Sequence, residues 1–566
     1  MQMTGASAII QSLIDEQAEC IFGYPGGAIM PTYDALYHKR EDIKHVLVRH
    51  EQAAVHAAVG YARATHKVGV AMATSGPGAT NLITGITDAL IDSVPIVCIT
   101  GQVFSELLGT DAFQEADIIG MTVTSTKWNY QITDPQEIPK VFKKAFEIAR
   151  SGRPGPVLID ITKDAQVGLM EYVKAKANTQ EKKWLKKPVL NMNQIHKASE
   201  IINGAKKPII IAGHGVMISE AEEILLKIAE KSNIPVVSTL LGLSTFSVGH
   251  PLYKGMLGMH GNYAANLLCN EADVVLAVGM RFDDRVTGKL DAYLPHAKII
   301  HIEIDQAEID KNVKATIGIH ADAKEALTVL FPYIRQQNYL NWHTNFSELK
   351  QKEYDQVIHK ESYPESGLIK MAEVIRRISE KTKGKAVIVT DVGQHQMIAA
   401  RYYQFENTKA HITSGGLGTM GFALPAAIGA KLGVQDVKEV IAIAGDGGFQ
   451  MNIQELAVLK QENIAVKVII LNNGYLGMVR QWQELFFEER YSFTEISAPD
   501  FVKVAEAYGV KGEHVFERDT LDQALDNLFA AKESYVLEIA VEQQENVFPM
   551  VPAGASISET KLSVEG

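Results

Sequence analysis

Short apolar runs that end in glycine or an acid recur along the chain, and no other feature limits its fold as much. ECIFGYPGG, VGVAMATSGPG, PIVCITG, KPIIIAGHG, ADVVLAVG, KIIHIEID, KEVIAIAGDG and VKVIILNN are each long enough for one strand, and helical patterns separate them. A strand that is apolar on nearly every residue is buried on both faces, as in parallel sheets covered by helices. The expected fold is therefore α/β, built of doubly wound parallel sheets. Two polar stretches, Lys174–Leu190 and Ile334–Gly367, divide the 566 residues into pieces of ordinary domain size. The expected organisation is an N-terminal domain over 1–173, a linker over 174–190 and a central domain over 191–333. A second linker over 334–367, a C-terminal domain over 368–545 and a tail over 546–566 complete it.

Composition excludes several classes of function. The net charge is −12 with both signs well mixed, which argues against a nucleic-acid surface or a polybasic membrane face. A small molecule or another subunit is the expected partner. Cys20, Cys98 and Cys269 are too few and too scattered for a disulfide framework or a zinc site, so a reducing cytoplasm is expected. MQMTGASAIIQSLIDEQ reads as a capped amphipathic helix rather than a leader peptide.

The strongest local motif runs from Gly445 to Asn473. A strand ends in Gly445-Asp446-Gly447, a helix follows, and the next strand ends in Asn472-Asn473. Both strand ends fall on the edge of a parallel sheet where ligands bind. Asp446 and Asn473, 27 residues apart, can thus offer oxygen to one hard cation such as Mg²⁺. Gly445, Gly447 and Gly448 leave room for a diphosphate against backbone N–H groups. GDG alone also fits an ordinary glycine turn; the full strand, GDG, helix, strand, NN arrangement is more specific and resembles the motif of thiamin-diphosphate enzymes.

Two further features are ambiguous by themselves. Thr74–Gly101 and Thr413–Gly447 follow one plan of Thr-Ser-Gly loop, small-residue helix and buried strand. Any βαβ unit looks like this, and so do two related domains that share a ligand. In RHEQ, Glu51 stands where a strand hands over to a helix, and a salt bridge to Arg49 or a helix-cap contact would account for it.

YPGGA, RHEQ, SGPGATN, GTDAFQEAD, SGRPGPV, GMLGMHG, RFDDRVTGK, DVGQHQM, TSGGLGTMGF, LGMVRQWQ and FPMVPAG occur in that order over nearly the whole chain. Together they resemble the catalytic subunits of acetohydroxyacid synthases, which are thiamin-diphosphate enzymes. The resemblance implies a pyrimidine-binding domain, a central FAD-binding domain and a diphosphate- and Mg²⁺-binding domain. It also implies a homodimer or homotetramer with sites between subunits, and a separate small regulatory subunit. The reaction implied is decarboxylation of pyruvate and transfer of its two-carbon unit to pyruvate or 2-ketobutyrate, on the route to valine, leucine and isoleucine. Catabolic, flavin-free acetolactate synthase, pyruvate oxidase and glyoxylate carboligase are the nearest rival activities.

Residue by residue, Glu51 matches the acid that hydrogen-bonds the pyrimidine ring. Tyr24, Pro25, Gly26, Gly27, Val392, Gly393, Gln394, His395, Gly418, Leu476, Gly477 and Met478 match cofactor contacts. Met420 matches the apolar residue that bends the cofactor. Asp446, Asn473 and the Tyr475 carbonyl match the metal ligands. Arg153, Met259, His260, Gly279, Arg281, Asp283, Arg285, Glu303 and Asp322 match the FAD site, where the flavin is expected to play no redox part. The isolated AGHGV is only part of a dinucleotide fingerprint, whereas Glu303 and Asp305 close a strand and could hold a ribose. Arg285 also matches the residue that holds the acceptor carboxylate, Trp482 the indole that shapes the acceptor pocket, and Phe113, Gln114 and Lys163 complete it. The sequence departs from the family at Phe104, Thr162 and Ile398, where Pro, Pro and Trp are usual. Phe104 lies where the family's access channel binds sulfonylureas, so weak inhibition by these herbicides is expected; a nanomolar response in an inhibition assay would contradict it.

Overall fold

The computed structural model describes residues 2–175, 187–434 and 438–564. Most of the expected linker at 174–190 therefore lies outside the described residues. Each of the eight apolar runs forms a strand. Three six-stranded sheets, parallel throughout, result from them and from further strands such as the edge strand Tyr253–Met256. Counting strands in chain order within each domain, the first sheet (Cys20–Gly23 to Val157–Thr162) is ordered 2-1-3-4-6-5. The third sheet (Val387–Thr390 to Tyr535–Ala540) has the same order. The repeated Thr-Ser-Gly plan is thus one instance of a duplicated topology.

The central sheet is ordered 3-2-1-4-5-6, the dinucleotide-binding order, whose crevice opens between the first and fourth strands. Those strands are Pro208–Ala212 and Val274–Val278. Beyond their ends the chain closes tightly: Gly215 N–H donates to the Gly279 carbonyl at 2.9 Å. A Cβ on Gly215 would stand 2.6 Å from the Gly279 Cα, so only glycine allows this approach.

The first and third domains share one core. Helix Glu51–Thr65 lies against helix Ala423–Val434 with small residues facing each other. A Cβ on Gly60 would meet the Ala426 carbonyl at 2.0 Å, and one on Gly429 would meet the Ala57 carbonyl at 1.8 Å. Gly429→Val should force the helices apart and cost about 1–3 kcal/mol or more, read as a lower thermal unfolding midpoint.

Residues 334–367 do not form an extended linker. Leu340–Glu353 is a helix that buries Trp342 and Phe346 in the central core, and its helical path continues to Ser362. Leu349 packs against the same core, and the polar residues around these anchors hid the helix from sequence reading. The segment after 545 is likewise docked: Val551 N–H donates to the Met259 carbonyl at 2.8 Å, and Lys289 N–H to the Ala555 carbonyl at 3.0 Å. All three cysteines are buried and free. Among the described residues no helix is long and apolar enough to cross a membrane.

Candidate active site

Glu51 is the first residue of its helix, and His50 caps that helix by accepting from Gln52 N–H at 3.1 Å. The Arg49 guanidinium turns to the Leu47 carbonyl and Gln461, each at 2.7 Å, so neither isolated reading of Glu51 holds. Instead Asn81 Nδ2 donates to Glu51 Oε2 at 2.9 Å. The Thr74–Gly78 loop gathers the rest of this set. A Cβ on Gly26 would press on Thr74 at 2.4 Å, one on Gly76 would meet Gln114 at 3.0 Å, and one on Gly78 would lie 3.3 Å from Glu51 Oε1. Tyr24 and Phe113 face outward, Phe113 with 88% of its surface exposed. Lys163 Nζ lies 5.7 Å from the centre of the Phe104 ring, so the unusual aromatic covers an expected site residue.

At the other end of the chain, Val392, Gly393, Gln394, His395, Met420, Gly445, Asp446, Gly447 and Gly448 line one narrow cleft with Asn473, Tyr475, Leu476, Gly477 and Met478. Side chains are excluded from its wall: a Cβ on Gly448 would fall 2.3 Å from Asp391 Oδ1, and one on Gly477 2.2 Å from Gln394 Oε1. Burial raises the Asp446 carboxyl to about 6 and lowers the His395 imidazole to about 4. Asp446 Oδ2 and His395 Nε2 are buried without a hydrogen-bond partner. An unpartnered carboxylate oxygen beside Asn473 suits a hard divalent cation, and the bare glycine wall suits a diphosphate. The donor set fits both groups.

The cleft adjoins a cavity of about 620 Å³, well inside the range of cofactor sites. Val392, Gly393, Met420 and Met478 line both. Gly418, Trp482 and every residue expected to hold FAD also line the larger one: Arg153, Met259, His260, Gly279, Arg281, Asp283, Arg285, Glu303 and Asp322. Glu303 closes the fifth strand of the central sheet, and burial lifts its carboxyl to about 7. The cavity's size, its position at the crevice of the sheet and its arginines suit an anionic dinucleotide. Trp482, 5.1 Å from Phe486 between ring centres, and the exposed Arg285 line the larger cavity but not the Asp446 cleft itself.

Glu51, Tyr24, Pro25, Gly26, Gly27, Phe113, Gln114 and Lys163 line neither space. Within one chain the structure therefore assembles the diphosphate and dinucleotide sets together and the pyrimidine set apart. Sequence reasoning missed Asp391, whose carboxylate accepts from the N–H groups of Val392, Gly421 and Ala423 and ties two cleft loops together. Its signal was an acid directly after a buried strand, two residues before GQHQ.

Comparison with known proteins agrees with this geometry. Residues 3–121, 195–330 and 391–539 match the N-terminal TPP binding, central and C-terminal TPP binding domains of thiamine pyrophosphate enzymes. The acetolactate synthase isozyme 2 large subunit of Escherichia coli is 43% identical over 98% of this chain and 99% of its own. The probable acetolactate synthase large subunit of Methanocaldococcus jannaschii is 46% identical, covering 98% and 95%. The acetolactate synthase large subunit of Lactococcus lactis is 45% identical, covering 98% and 96%. Three such domains in this order define a thiamine pyrophosphate enzyme. Within that class, the chain belongs to the family of acetolactate synthase large subunits.

Proposed function

We propose that the chain is the catalytic subunit of an acetohydroxyacid synthase that joins pyruvate to a second 2-ketoacid with loss of CO2. The products are 2-acetolactate from pyruvate and 2-aceto-2-hydroxybutyrate from 2-ketobutyrate, precursors of the branched-chain amino acids. The observation that carries this reading is the continuity of the Asp446 cleft with a cavity walled by Arg285 and Trp482.

Asp446, Asn473 and the Tyr475 carbonyl would hold Mg²⁺, and the glycine wall would seat the diphosphate of thiamin diphosphate. Bound there, the cofactor supplies an electron sink that lets a 2-ketoacid lose CO2 and its remainder add to another carbonyl. Glu51 holds a proton at the pyrimidine ring nitrogen. Arg285 orients the acceptor by its carboxylate, using the guanidinium's fork of donors. Trp482 packs on the acceptor's alkyl group, and the apolar part of the cavity keeps bulk water away. FAD in the larger cavity has a structural role in this scheme. Because Glu51 and Asp446 sit in different places of one chain, the reading requires at least a homodimer whose subunits complete each other's sites. The relatives' designation as large subunits supports a separate small regulatory partner, and the reading places the enzyme in the cytoplasm.

The test is product analysis with pyruvate and 2-ketobutyrate in competition, with and without added thiamin diphosphate, Mg²⁺ and FAD. Failure to form either acetohydroxyacid in the complete mixture would refute the reading. Trp482→Leu should lower the preference for 2-ketobutyrate over pyruvate by roughly tenfold or more in the same assay, the discrimination that apolar contact with one methylene supports.

A further inference from the structure

A titratable cluster of different make-up lies outside the cavities described above. Asp500 precedes helix Phe501–Ala507, His514 is on strand Lys511–Val515, and Glu538 is on the neighbouring strand Tyr535–Ala540. His514 Nε2 lies 3.0 Å from Asp500 Oδ1. On its other side, Nδ1 lies 3.1 Å from Glu538 Oε2, an ion-pair approach without hydrogen-bond alignment. The ligand-capable atoms are close enough for a metal ion. However, the two carboxylates face opposite ring nitrogens, and the Lys503 ammonium holds Asp500 Oδ2 at 2.9 Å. This is a histidine bridge between two acids rather than a metal cage.

The bridge leads to the diphosphate cleft. Glu538 is 8% exposed, and its Oε1 accepts from Asn472 Nδ2 at 2.7 Å. An amide that donates through nitrogen to Glu538 must present its oxygen on the other side. There Asn472 Oδ1 accepts from Gly474 N–H at 3.1 Å. Gly474 has φ +69°, the left-handed turn that separates Asn473 from Tyr475. Its N–H also faces the Asp446 carboxyl. Thus Asp500, His514, Glu538, Asn472 and Gly474 form one line that ends between the expected metal ligands. Without the imidazole, the second oxygen of Glu538 would lose the ring that packs against it, and the carboxylate and the Asn472 amide bonded to it would lose their fixed orientation.

We propose that His514 is a positioning residue for the metal loop, bridging Asp500 and Glu538 so that Asn472 fixes the Gly474 turn. The proposal rests on the reading of Asp446, Asn473 and Tyr475 as metal ligands. Mn²⁺ titration followed by electron paramagnetic resonance, with thiamin diphosphate present, tests it in the full-length wild type and in His514→Phe, His514→Gln and Glu538→Gln. His514→Phe and Glu538→Gln should weaken Mn²⁺ binding about 10- to 100-fold, as losses of ligand-supporting contacts do, with kcat at saturating Mn²⁺ retained. His514→Gln, which keeps polar atoms toward one acid, should recover part of the affinity. Unchanged Mn²⁺ affinity in a folded His514→Phe protein overturns the proposal. If that variant does not fold, unchanged affinity in Glu538→Gln overturns it instead. A wild type that binds no Mn²⁺ with thiamin diphosphate refutes the metal-site reading and this inference with it, whereas normal wild-type binding with unaffected variants refutes the inference alone.

Discussion

Glu51→Gln is expected to slow acetolactate formation from pyruvate by about 10²- to 10⁴-fold, the usual contribution of a positioned proton-transfer group. The substitution is a sharp test because it should leave the fold alone. Asn81 Nδ2 donates to Glu51 Oε2, and a glutamine can turn its carbonyl oxygen to the same donor. Only the ability to exchange a proton is lost. Acetolactate production and the thermal midpoint should be measured together. An unchanged midpoint with activity within about tenfold of wild type would remove Glu51 from the proton-handling role.

Asp446→Asn should abolish tight Mg²⁺ and thiamin diphosphate binding, yet stabilise the cofactor-free protein near neutral pH. Burial raises this acid from 3.8 to about 6 in the folded, metal-free state. The folded protein then holds the proton more firmly than the unfolded chain does. Its favourable contribution is complete below pH 3.8 and is lost as pH rises to about 6. Above that, the wild type carries an uncompensated buried charge that the amide lacks, a difference of about 2 to 3 kcal/mol. Metal binding reverses the sign, since the cation requires the carboxylate. Wild-type Mg²⁺ affinity should therefore fall about tenfold per pH unit below about 6. Calorimetric binding and thermal unfolding across pH 5 to 8 check both halves. Retained Mg²⁺ affinity in the variant would exclude Asp446 as a ligand.

Much of the architecture was legible in the residues because it is written locally. A run such as VIAIAG specifies a strand buried on both faces, and the glycines of GDGG specify a wall free of side chains. The helix inside the expected linker at 334–367 escaped notice because its apolar contacts, Trp342, Phe346 and the partly buried Leu349, are spread thinly through an otherwise polar stretch. Asp391 escaped notice for a related reason: its importance lies in bonds to Gly421 and Ala423, about thirty residues away, rather than in any nearby pattern.

The sequence by itself determined the α/β class, the strands, and the Asp446 and Asn473 pair at two strand ends. Burial and turn chemistry act over a few residues and leave a periodic trace. Only the tertiary structure decided which of these pieces meet. It joined the diphosphate cleft to the dinucleotide cavity through Val392, Gly393, Met420 and Met478, and left Glu51 beside Asn81, apart from both. It also set His514 between Asp500 and Glu538, three residues from three separate elements. Such meetings follow from strand order and close helix packing, which bring distant residues together without leaving any mark on the sequence around them.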